Sequence, residues 1–157
     1  MKVFLTSALV LGLFIAIIAA GFLVYGSGVI SKEKRGKVII RDTEFNVVVA
    51  HNPMARSRGL SGRESLAENE GMLFLFPNTG YQVFWMKGMV IPIDIIWIKE
   101  NRIVGFEVSV QPEPGVKSSR LTRYAPPEAV SRVLEVPAGT VGRLGIQVGD
   151  EIIVNYN

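Results

Sequence analysis

Hydrophobic and polar positions divide this chain sharply. Val3 to Tyr25 carries no charged residue. As a helix rising about 1.5 Å per residue, that run is about 35 Å long, enough to cross a bilayer. Ala19-Ala20 is the nearest match to a signal-peptidase site, but Ile18 is bulky where a small residue is needed, and Phe22-Leu23-Val24-Tyr25 prolongs the apolar run. The pattern therefore predicts an uncleaved transmembrane anchor over 1–26. A basic polar linker over 27–36 and a globular domain over 37–157 complete the expected organisation.

Beyond the linker the period changes. Val38-Ile39-Ile40 and Phe45 with Val47-Val48-Val49 flank Arg41-Asp42-Thr43 and predict a β-hairpin. Asn52-Pro53 is a helix-start signal, and the helix is expected to end near Gly59. Gly71 to Phe76 predicts a buried strand stopped by Pro77, followed by strands over Tyr81–Met86 and Ile91–Ile98. A turn at Lys99–Arg102 leads to a strand over Ile103–Val108. Gln111–Pro127 holds four prolines and predicts a long surface loop. Ala129–Val136 and Glu151–Tyr156 are expected strands, and Gly139–Leu144 a short helix capped by Gly145. Many short strands with two short helices predict a mainly β, α+β domain: one compact, curled or barrel-like sheet behind the N-terminal transmembrane helix.

Charge narrows the partners. The chain has 17 basic and 14 acidic residues, but Lys2, Lys32, Lys34, Arg35 and Lys37 flank the apolar segment with only Glu33 opposing. From Arg41 onward, 12 basic residues face 13 acidic ones. The basicity is thus expected to serve lipid headgroups at the membrane, and no nucleic-acid partner is expected. There is no cysteine, which excludes disulfides, thiolate metal sites and cysteine nucleophiles. His51 is the one histidine, so neither a histidine metal site nor a serine triad has the residues it needs, and no cofactor is expected. The glycines 139, 142 and 145 lack the spacing and the lysine of a phosphate-binding loop.

The candidate chemistry centres on Phe84–Ile98, an apolar stretch that contains Lys87 and Asp94. Such charges are seldom buried without partners. Two readings follow: a Lys87–Asp94 ion pair pinning two strands, or a site in which the two face a ligand beside Trp85. Arg56, Arg58 and Arg63 surround a glycine-rich turn. Arg58 and Arg63 could clamp an anion, whereas Arg56 is expected to pair with surface glutamates. Glu70 with Asp94 is the one carboxylate couple considered for glycoside chemistry.

Several motifs recur together: Arg56-Ser57-Arg58-Gly59-Leu60-Ser61-Gly62-Arg63-Glu64-Ser65-Leu66, Glu70-Gly71-Met72-Leu73-Phe74, Phe84-Trp85-Met86-Lys87, Ile91-Pro92-Ile93-Asp94, Val133-Leu134-Glu135-Val136-Pro137-Ala138-Gly139-Thr140, Leu144-Gly145-Ile146 and Val148-Gly149-Asp150. In this order the chain resembles the domain of unknown function 192, or UPF0127, family over about residues 38–155. The resemblance implies a small, mainly β domain, frequently exported or lipid-anchored, with no assigned activity. Gly88-Met89 stands where that family often has Asn-Thr, and Ser118-Ser119 lies where many members carry cysteines. Roles of those residues are therefore not carried over.

Positive-inside counting favours a cytoplasmic domain, while the export habit implied by the resemblance favours an extracytoplasmic one, which is the expectation adopted. The leading functional expectation is a membrane-anchored domain that binds a small ligand or envelope partner without catalysis through Trp85, Lys87, Asp94, Arg58 and Arg63. The alternatives are an envelope carbohydrate-acting hydrolase or transferase with Asp94 or Glu70 as acid/base, and a purely structural envelope module. Oligomeric state is left open.

Overall fold

The computed structural model describes residues 33–156, so the anchor expected over 1–26 lies outside the described residues. Among the described residues no helix is long and apolar enough to cross a membrane. The compact unit begins at Glu33.

Its framework is one seven-stranded sheet: β1 (Arg35–Ile40), β2 (Thr43–Ala50), β3 (Glu70–Gly80), β4 (Ile93–Lys99), β5 (Arg102–Val110), β6 (Val130–Pro137) and β7 (Ile152–Tyr156), in the order β5-β4-β6-β3-β2-β1-β7. Only β2 and β3 pair in parallel. A parallel connection cannot be a tight turn. The chain between them carries helix α1 (Pro53–Arg58) and a glycine-containing turn. Asn52 caps α1 by accepting the Ala55 N–H at 2.9 Å, as the Asn-Pro signal predicts.

The sheet curls until its two edges meet at one end. The Ile103 N–H donates to the Asp150 carbonyl at 3.0 Å, the Gly149 N–H to Ile103 at 2.8 Å, and the Ile152 N–H to Asn101 at 2.9 Å. Arg41, in the β1–β2 turn, reaches the Asp150 carboxylate at 2.9 Å. The result is a half-barrel.

Strand alternation sorts the apolar residues into two cores. All seven strands supply the inner one, with Val38, Phe45, Val47, Leu73, Ile96, Leu134 and Val136 among its members, and Val141 of helix α2 (Thr140–Leu144) helps to plug it. The outer core lies on the opposite face of β3, β4 and β6. There Met72, Phe74, Ile95, Trp97 and Val133 are covered by Leu60, Met86 and Met89 from the connecting segments. Strand β4 is therefore buried on both faces, as its unbroken apolar run predicts.

Three local expectations change. Pro77 does not stop β3; it falls where the β3–β6 register shifts between Leu75 and Gly80, so its missing N–H interrupts no regular ladder. Tyr81–Met86 has the exposed-buried alternation of a strand but no strand partner. Its only bridge among the described residues is Phe84 with Tyr124 of the long loop, because the segment crosses over the sheet instead of joining it. Finally, Arg35 and Lys37 belong to β1, and Lys37 pairs with Glu44 at 2.7 Å. Lys34 sits over the Tyr156 ring at 4.6 Å. Much of the presumed membrane flank is part of the fold.

Candidate ligand-binding site

Lys87 and Asp94 make no ion pair. Period two places Asp94 on the inner face of β4 with Ile96 and Ile98, whereas Lys87 lies exposed over the outer face. The Asp94 carboxylate is fully buried. Its Oδ1 accepts the N–H groups of Ser109 (2.7 Å) and Gly139 (3.1 Å), and its Oδ2 accepts that of Val141 (2.8 Å). Two of these donors open the five-residue helix α2, where an anion also meets the favourable end of the peptide dipoles. Ser109 has φ 51°, a conformation costly for a residue with a side chain, and its bond to Asp94 helps to hold it. Asp94 ties β4, β5 and α2 together, and with both oxygens hydrogen-bonded and no exposed surface it is closed to a ligand.

Lys87, Trp85 and Arg58 do come together. They line a pocket of about 240 Å³ over the outer face, with Arg56, Ser57, Ser61, Phe74, Phe76, Phe84 and Glu135 among the other walls. The turn bearing Lys87 is fixed by backbone chemistry. Ser61 Oγ donates to the Lys87 carbonyl at 2.7 Å, and the Gly62 N–H donates to the Gly88 carbonyl at 2.8 Å. Gly88 has φ 68°, which a side chain would strain. Phe84 packs edge-on against Phe74 (4.9 Å) and Trp97 (5.6 Å), so the aromatic wall is rigid. Trp85 remains half exposed beneath the Arg123 guanidinium, 4.3 Å from its ring centre.

Glu135 is the chemically unusual member. It lies on β6 directly between Met72 of β3 and Ile95 of β4, with all three on the outer face. It is 6% exposed, and its Oε2, itself buried, has no hydrogen-bond partner among the described residues. Burial alone pushes its pKa from the ordinary 4.5 up to about 8. Burial thus favours the protonated acid at neutral pH, in a residue that lines the pocket. The sequence signal was a single carboxylate inside the run Val133-Leu134-Glu135-Val136, which goes in step with Val133 on a doubly buried strand.

The other candidates lie elsewhere. Arg56 does not pair with glutamates: its Nη1 donates to the carbonyls of His51 (3.1 Å) and Leu75 (2.9 Å), and its guanidinium sits over Phe76. Arg63 does not line the pocket and stands 3.9 Å from Glu70. Glu70 accepts the Ala67 N–H and is also outside the lining, so Glu70 and Asp94 do not form a catalytic couple there. Among the described residues, no three His, Asp or Glu side chains gather as metal ligands would.

A model of the DUF192 family, described as "Uncharacterized ACR", matches residues 36–154. Two solved structures are similar to this chain. One is the "putative transcription regulator" of Sinorhizobium meliloti 1021, 30% identical with a TM-score of 0.68, the match covering 78% of this chain and 93% of that one. The other is a protein of unknown function from Novosphingobium aromaticivorans DSM 12444, 28% identical with a TM-score of 0.66, covering 76% and 83%. No curated protein matches.

Proposed function

This chain belongs to the DUF192 family, and on that footing we propose that its half-barrel is a non-catalytic binding domain for a small amphipathic ligand with an anionic end. The observation that carries this reading is the pocket under Lys87, where packed aromatic walls, two exposed cationic side chains and a buried acid converge. Its volume of about 240 Å³ lies just under the roughly 300–1,000 Å³ usual for small-molecule sites, enough for an aromatic group of about two rings with the remainder of the ligand at the open mouth. Lys87 and Arg58 are exposed at its edge, where an anion would remain partly solvated. The carbohydrate-acting alternative loses its acid/base candidates, since neither Asp94 nor Glu70 lines the pocket. A purely structural module gives no reason for Glu135 Oε2 to lack a partner.

The probe is 1-anilinonaphthalene-8-sulfonate, an aromatic anion whose fluorescence rises on leaving water. The purified full chain is expected to bind it, and the double variant Lys87→Met/Arg58→Met to bind it about tenfold more weakly, a loss of about 1.4 kcal/mol. No binding, or equal binding by both proteins, sinks the reading.

The same proposal places the domain on the extracytoplasmic side, held by the apolar segment Val3–Tyr25. Because the chain has no cysteine, Ser118→Cys supplies one exposed thiol. A membrane-impermeant maleimide should label it in intact expressing cells. Labelling only after lysis would refute that orientation.

A further inference from the structure

The pocket has opposite chemistry at its two ends. Exposed Lys87 and Arg58 stand at the opening, while Glu135 is buried at strand level between Met72 and Ile95. Phe74, Phe76, Phe84 and Trp85 line the space as well. Arg56 is committed to two backbone carbonyls, so it is not the counter-charge of Glu135. An anionic ligand with an apolar tail would satisfy the opening and leave the Glu135 carboxyl without a counter-charge. A ligand with an organic ammonium at its inner end would place its charge against the Glu135 carboxyl, which lines the pocket, and also meet aromatic faces, which attract cations. We propose that the ligand is a zwitterion, its ammonium directed to Glu135 and the aromatic wall and its anionic group to Lys87 and Arg58. This inference rests on the binding reading above and specifies its ligand class.

The protons balance simply. The free protein carries Glu135 as the neutral acid at pH 7, held so by burial. A quaternary ammonium has no proton to give, so pairing expels the Glu135 proton to the buffer. Affinity then rises with pH up to about 8 and levels off above it. The other charged groups of the lining are Arg56, Arg58 and Lys87, and the residues flanking Glu135 on β3 and β4 are the apolar Met72 and Ile95.

The test is calorimetric titration of the full chain with phosphocholine and with 3,3-dimethylbutyl phosphate, which keeps the shape and the anion but replaces nitrogen by carbon. Phosphocholine should bind at least about tenfold more tightly at pH 8.5. At pH 7 it should release close to one proton, read from buffers of different ionisation enthalpy. Glu135→Gln should remove the phosphocholine advantage and the proton release, while leaving naphthalene-sulfonate binding, and hence the folded pocket, in place. If phosphocholine binds no better than its carbon analogue while the sulfonate still binds, the zwitterion inference fails and the binding reading stands. If the sulfonate does not bind either, both fail. Displacement of phosphocholine by phosphatidylcholine vesicles but not phosphatidylglycerol vesicles would assign the chemistry to a lipid headgroup. Displacement by neither would assign it to a free solute.

Discussion

Replacing Asp94 by Asn tests the architecture at its most connected side chain. The carboxylate accepts three backbone N–H groups, from Ser109, Gly139 and Val141, at 2.7, 3.1 and 2.8 Å. Hydrogen bonds to a charged group each contribute about 1.5–3 kcal/mol. Asparagine keeps the shape but has one acceptor oxygen. In its better orientation that oxygen retains Ser109 and Gly139 as weaker, neutral bonds, and the amide nitrogen is turned against the Val141 N–H. Two donors then face each other in a buried site, and an orphaned donor costs about 1–3 kcal/mol. Burying an amide instead of a charge offsets part of the loss. The net expectation is about 3 kcal/mol, a large share of the roughly 6–18 kcal/mol available to a domain of this size. Urea unfolding of the full chain, followed by the fluorescence of buried Trp97, should show the midpoint falling by about 1–3 M for slopes typical of small proteins. A midpoint within about 0.3 M of wild type would refute the reasoning, because losing one of three backbone bonds that matter and weakening the other two cannot be without effect.

Three further outcomes follow from the same geometry. Lys87→Met should leave the urea midpoint unchanged, since the side chain is exposed and the contact that fixes its turn is made to its backbone carbonyl; a loss above about 1 kcal/mol contradicts this. Gly71→Ala should destabilise by about 1–3 kcal/mol, because the new Cβ would stand 2.7 Å from the Glu135 carbonyl oxygen, a backbone atom that cannot step aside. Wild-type stability should fall as pH rises from about 4.5 to about 8, the interval in which the unfolded chain has lost the Glu135 proton and the folded one still holds it. The slope this group adds is about 1.4 kcal/mol per pH unit. Glu135→Gln should remove it, and equal slopes in the two proteins would count against the buried acid.

Local signals were legible where local chemistry decides. The β1–β2 hairpin, the Asn52 cap of α1 and the Gly145 end of α2 follow from short stretches of sequence. So did a mainly β, curled sheet, from the number and brevity of its strands. Long-range pairing was not legible. Tyr81–Met86 carries the right alternation, but its alternation serves to cover the outer core, and a period cannot say whether a partner strand exists. Asp94 was singled out as a charge within an apolar strand, with Lys87 or a ligand as its expected partner, yet its partners at Gly139 and Val141 lie 45 and 47 residues away. Alternation could have warned that Asp94 points inward with Ile96, away from the face that Lys87 overlies. Of the five proposed site residues, Trp85, Lys87 and Arg58 line one pocket, while Asp94 and Arg63 do not. Glu135 was within reach as a lone carboxylate on a doubly buried strand, but only the fold shows that one of its oxygens is buried without a partner among the described residues and that the residue lines the pocket.

The most direct test of this account is the titration of Glu135 itself. Glutamate labelled with ¹³C at Cδ, introduced into the full chain and assigned by loss of one resonance in Glu135→Gln, reports the protonation of each carboxyl by chemical shift. The account predicts one glutamate resonance that titrates near 8, apart from the rest, and moves to its ionised position at pH 7 when phosphocholine is added. A Glu135 resonance titrating near the ordinary 4.5 would mean that the acid is solvated or paired, and the pocket would lose the feature on which its function has been argued.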